Sequence, residues 1–162
     1  MIMATRSDKL NGISGWLILV AIGIVLTPIR IAVVVLPMYT GIFTNGTWEV
    51  LTYANGGLYD PFWAPILIGQ IVINVGLIGL WLYVASIFFS KQAIFPKVFI
   101  GTLILSMAFI IIGAFALTLV MPEGPLFDSG AMKELSRTVI ASIIFIPYML
   151  KSKRVKATFI NT

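Results

Sequence analysis

The chain has 162 residues, 59% of them hydrophobic and 10% charged, with a formal charge of +5. Soluble domains carry about a quarter charged residues, so this composition excludes an ordinary soluble globule and reads as one integral membrane domain, residues 1–162. With no cysteine and no histidine, disulfides, thiolate nucleophiles, the commonest metal ligands and the commonest general base are missing, and neither a metal site nor a cofactor is expected.

The N-terminal segment carries Arg6 and Lys9, and the first apolar run follows over about 16–43. It is much longer than the apolar region of a signal peptide and has no small-residue cleavage site after it, so it reads as an uncleaved membrane span. Within it, "LTPIR" places Pro28 and Arg30 among aliphatic residues. Pro28 removes a backbone donor and leaves the Ile24 carbonyl without its usual partner. Arg30 lies about 21 Å above Trp16 at 1.5 Å per residue, in the outer half of the hydrocarbon. Insertion is not threatened, since an arginine costs about +3 kcal/mol at the centre of a span and the aliphatic residues from Leu17 to Leu36 return roughly −4 to −8.

The first loop, 44–62, holds Asn-Gly, Gly-Gly and Asp-Pro breakers, and Asn45 opens an "NGT" glycosylation pattern of low specificity. Its "TWEVLTYA" predicts a short interfacial helix capped by Thr47, with Trp48, Leu51 and Ala54 on one face and Trp48 as a headgroup anchor. The second span covers about 63–90. Gln70 and Asn74 lie one turn apart on one face, and Gly69, Gly76, Gly79 and Ser86 on a roughly opposite one, which predicts a central helix with neighbours on both sides. A short loop at 91–97 precedes the third span, about 98–121. A Pro- and Gly-rich loop at 122–130 leads to the fourth and shortest, about 135–150, with Arg137 at its start. The tail carries Lys151, Lys153, Arg154 and Lys156.

Charge assigns the sides. Both terminal segments and the middle loop hold eight basic residues, whereas the other side has Lys133 plus Arg137 just inside its helix. The expected fold is therefore an all-α membrane protein, a four-transmembrane-helix bundle with both termini in the cytoplasm (N-in/C-in). The basic tail is expected to contact the anionic inner leaflet through Lys151, Lys153, Arg154 and Lys156.

Arg30, Gln70, Asn74 and Arg137 all fall in the outer half of the membrane. One expectation is structural, with Arg30 snorkelling or held by an amide, a freed carbonyl, or the rim acids Asp60 and Glu134. The other is a polar pocket built by Arg30, Gln70, Asn74 and Arg137 that receives an anionic group, because ionisable residues inside a membrane mark functional sites.

No phosphate loop or zinc-protease motif is present. Asp60 and Asp128 raise an intramembrane aspartyl hydrolase as a minor reading. Lipoprotein signal peptidases have a similar length and span number, but their asparagine-containing aspartate motifs are missing here.

The ends of the chain carry a resemblance. "NGISGWLILVAIG" with Gly12, Gly15 and Trp16, "LTPIR", Arg137 with Pro147-Tyr148, and "SKRVKATF" at 152–159 together resemble a family of small bacterial four-span inner-membrane proteins known as domain-of-unknown-function family 2569. The resemblance implies a bacterial inner membrane and four helices, and no activity. It also implies an acid in the second helix near Gln70, where this chain has an amide. The first functional expectation is a non-enzymatic membrane protein binding a lipid or a partner protein through the polar pocket. The second is a small oligomeric transporter of an anionic or amphipathic solute. The expected partners are membrane lipids and a membrane protein or second copy of the chain, with no nucleic acid.

Overall fold

The computed structural model describes residues 12–161, and every named element among them is a helix. Arg6 and Lys9, counted above for the basic side, lie outside the described residues. Six helices follow in order: α1 Trp16–Thr44, α2 Thr47–Thr52, α3 Trp63–Phe89, α4 Phe95–Thr118, α5 Ser129–Lys151 and α6 Lys153–Thr158. Three of them, α1, α3 and α4, are long and apolar enough to cross a membrane. Their outward faces are apolar to match: Val33 is 67% and Val72 64% exposed. Such surface is tolerable only in lipid, so the protein is membrane-embedded.

The fourth expected span is where structure and sequence differ. The helix there is longer than 135–150, because Asp128 accepts a hydrogen bond from the Ala131 amide (2.6 Å) and so starts α5 at Ser129. The added first turns bring in Lys133 and Glu134 ahead of Arg137, and α5 falls short of the apolarity that marks the other three. The third span also shifts. α4 begins at Phe95, with Pro96 in its first turn where no amide partner is needed, and ends at Thr118.

α3 is central, packing against α1 on one side and α4 on the other, and α5 packs along α4. The small residues of α3 do not produce this closeness. A Cβ added at Gly69, Gly76 or Gly79 would meet nothing within 4 Å, so the expectation of a tight glycine face is corrected: α3 packs through its large side chains.

One end of the bundle is closed by aromatic packing. Phe95 stacks on Phe159 at 4.4 Å, and Phe88 touches both rings at 5.0 and 5.5 Å. Leu17, Val20, Ile24 and Val155 belong to the same buried core, with Val84, Ile87 and Met149 among others. The segment after α5 turns back across this end as α6. Arg154 donates to the Ser14 hydroxyl and Thr158 to the Gly12 carbonyl (3.4 Å), while Asn161 bonds Ser90, Lys91 and Ala93. Residues 12–14, the α3–α4 turn and α6 thus meet at one end, together with Lys91, Lys97, Lys151, Lys153 and Lys156. This is the basic end. The α1–α3 connection and the α4–α5 loop form the opposite, acidic end, with Glu49, Asp60, Glu123 and Asp128.

At the acidic end the cap of α2 is not Thr47. Gly46 takes that place with φ 79°, and the Asn45 carboxamide accepts the Thr47 amide (3.0 Å). Trp48 leans on Phe43 at 5.1 Å, and α2 ends before Ala54. The turn after it admits only glycine at Gly56, where a Cβ would stand 2.1 Å from the Val50 carbonyl oxygen.

Candidate functional site

α1 and α5 flank the bundle without packing closely on each other. Between them, α3 and α4 form the back wall of a cavity of about 330 Å³. Its lower part, towards the basic end, is apolar: Val20 and Ile24 from α1, Trp81 from α3, Phe99 and Leu103 from α4, Phe145 from α5. Its upper part carries charge. Arg30 from α1 donates to Oε1 of Glu134 on α5, and Arg137 reaches the same oxygen from one turn further along α5 at 3.3 Å.

Each of these positions has a local cause. α1 runs helically through Pro28, which is buried, so Arg30 keeps its place on the cavity face two residues later. Glu134 and Arg137 share a face of α5 because residues three apart on a helix are neighbours. One carboxylate therefore serves two guanidiniums, which leaves one unit of positive charge at the cavity mouth. Arg30 and Glu134 are each 36% exposed and Arg137 is 49% exposed, so Arg137 is the more accessible of the two cations.

Of the residues expected in a polar pocket, Arg30, Asn74 and Arg137 line this cavity and Gln70 does not. Asn74 faces α1. Its amide donates to the Tyr39 hydroxyl (3.2 Å) and to the Gln70 carbonyl (2.8 Å). The Gln70 side chain faces α4 instead, in a separate shallow groove beside Gly113. The rim acids also separate. Glu134 is the partner of Arg30, whereas Asp60 accepts the Phe62 amide (2.8 Å) at the entry to α3. Asp128 is the cap of α5, so both aspartates of the hydrolase reading hold backbone amides.

The tail divides as well. Lys151, Lys153 and Lys156 are exposed at the basic end, but Arg154 is half-buried against Ser14. Three polar cavity residues were not singled out from the sequence, Thr27, Ser106 and Thr138. Ser106 had a signal, as a lone hydroxyl within the apolar run "LILSMAFI". Among the described residues no cluster of acids could hold a metal ion.

Comparison with known proteins places this geometry in context. A family model described as "Protein of unknown function (DUF2569)" matches residues 10–160. Among curated proteins, the chain is 37% identical over 82 residues to "Inner membrane protein YdgK" of Escherichia coli (strain K12). The match covers 51% of this chain and 50% of that protein, so the chain spans about half the length of the relative it matches. No solved structure matches.

Proposed function

Because the chain belongs to the DUF2569 family, whose members have no known function, we propose its role from its own geometry: a bacterial inner-membrane protein of four transmembrane helices, both termini cytoplasmic, that binds a lipid in the cavity between α1 and α5. The matched relative is described as an inner membrane protein, which supports the location. The sidedness follows from charge, since the basic end gathers the lysines that the positive-inside rule keeps in the cytoplasm. A fourth span is supported by three features of α5. Its 23 residues reach about 35 Å, enough to cross the hydrocarbon. It lies along α4, and α6 returns to the α3–α4 turn. Its outward face presents Ile140 and Ile143, 58% and 68% exposed.

The observation that carries the lipid reading is the way α1 and α5 are joined. An ion pair spans the gap where close helix packing would otherwise seal it. The cavity therefore has a side facing the acyl chains, an apolar well and a mouth with surplus positive charge. That is the complement of an anionic amphipath entering from the bilayer. Among the described residues the one carboxylate lining the cavity, Glu134, is held by two guanidiniums, and the role proposed is binding.

The test is native mass spectrometry of the detergent-extracted protein. The expected result is a retained lipid mass that falls in Arg30→Leu and Arg137→Leu while both variants still insert. Retention unchanged in both would remove the site. A retained polypeptide in place of a lipid would assign the cavity to a partner protein. Flux of an anionic solute in proteoliposomes would move the assignment to the transporter reading.

A further inference from the structure

A serine or threonine hydroxyl in a helix has a default partner, the carbonyl one turn back. Thr27, Thr102, Thr138 and Ser142 all take it, at 2.6 to 2.9 Å. Ser106 does not. It is 9% exposed, it lines the cavity, and among the described residues its hydroxyl is the buried side-chain polar atom without a partner. Such an atom needs a completing group, and the open space beside it is the cavity.

Depth indicates what that group is. Counted at roughly 1.5 Å per residue from the basic end, Arg30 lies about 21 Å up α1 and Ser106 about 16 Å up α4. The apolar well continues down to Val20 and Phe99, about 6 Å above that end by the same count. The cavity thus offers three levels in sequence: guanidinium, then a hydroxyl one helical turn lower, then hydrocarbon. A glycerophospholipid presents anionic phosphate, ester carbonyl and acyl chain in that order. A fatty acid fills the first and third levels but leaves the hydroxyl unmet, and a sterol lacks the charge. The volume lies at the small end of ligand cavities, roughly 300–1,000 Å³, which suits one chain better than two.

We propose that the cavity takes a single-chain, ester-linked glycerophospholipid with an anionic head, and that Ser106 sets its specificity by donating a hydrogen bond to the ester carbonyl. This rests on the lipid reading of the cavity given above. The head lies level with Arg30 and Arg137, on the acidic-end side, and the chain descends between Trp81, Phe99 and Phe145.

The experiment titrates the delipidated, detergent-solubilised full chain with lysophosphatidylglycerol and with its ether-linked analogue, which keeps head and chain but lacks the carbonyl. Occupancy is read by native mass spectrometry. One net hydrogen bond corresponds to a preference of about threefold to tenfold for the ester. Ser106→Ala is expected to bind the two forms equally and, with no lipid present, to melt no lower than the parent protein because an unsatisfied hydroxyl is gone. Equal binding of ester and ether by the parent protein, with both weakened in Arg30→Leu, would overturn the role of Ser106 and leave the cavity reading standing. No binding of either form would overturn both.

Discussion

Arg30 shows how one side chain's partner is decided. The sequence offers several groups for it, and the structure selects Glu134, 104 residues away. That selection depends on the rotation of α5 about its axis, which α4 packing sets and no local pattern reveals. Asn74 and Gln70 illustrate the same limit. One turn of helix separates them, but four residues at 3.6 per turn leave an offset of about 40°. On a helix flanked from both sides, that is enough to send Asn74 to α1 and Gln70 to the α4 groove. The pair of Arg30 with Glu134 is one-third exposed, so its worth lies between the fraction of a kcal/mol of a surface pair and the several of a buried one. A double-mutant cycle with Arg30→Leu and Glu134→Gln, read by thermal unfolding in detergent, is expected to give a coupling of about 1–2 kcal/mol. Coupling indistinguishable from zero would mean that Arg137 alone satisfies the carboxylate.

Helix ends are where the elements departed from the reading of hydropathy. Apolar runs locate α1 and α3 within a residue or two, because the polar residues inside them, Arg30, Gln70 and Asn74 among others, are too few to break the run and polar loops bound it. α5 starts earlier than its apolar run, since its first turns are polar and its start is fixed by a cap, Asp128 on the Ala131 amide. α3 ends in a turn in which the Lys91 amide bonds Phe88 and the Gln92 amide bonds Ile87, both at 3.0 Å. That closure needs a left-handed residue, and the chain supplies Lys91 at φ 53° where glycine is usual. Lys91→Gly is therefore expected to stabilise the protein by about 0.5–1 kcal/mol, relief of backbone strain offset in part by a freer unfolded chain. A lower melting temperature would show that the lysine side chain matters more than its backbone. The gathering of 12–14, the α3–α4 turn and α6 was legible only as shared charge. The contacts that bind them come from Phe159, Thr158 and Asn161, whose types carry no long-range address.

At the scale of the whole molecule, the native absence of cysteine makes topology directly measurable. Single cysteines placed at Lys156 and Gln92 are expected to resist a membrane-impermeant thiol reagent in intact cells and to react after lysis. Cysteines at Asn55 and Gly124 are expected to react in both. Labelling of position 156 from outside would mean that α5 turns back within the bilayer and that the fourth span does not exist. The overall class, a helical membrane protein, was the most legible property of all, because bilayer thickness writes itself into run length. The cavity was the least legible, because it arises where two helices fail to meet.

The contact between Arg154 and Ser14 has a temporal meaning. The two residues stand 140 positions apart, and at ribosomal rates of about 5–20 residues per second the first is made roughly 7 to 30 seconds before the second. Once α1 has been made its entry stays unsecured, because translation must proceed beyond Arg154 before the seal can form. A nascent chain halted within α5 would already be inserted yet lack the polypeptide that locks its base, leaving a membrane-bound intermediate exposed to quality-control proteases.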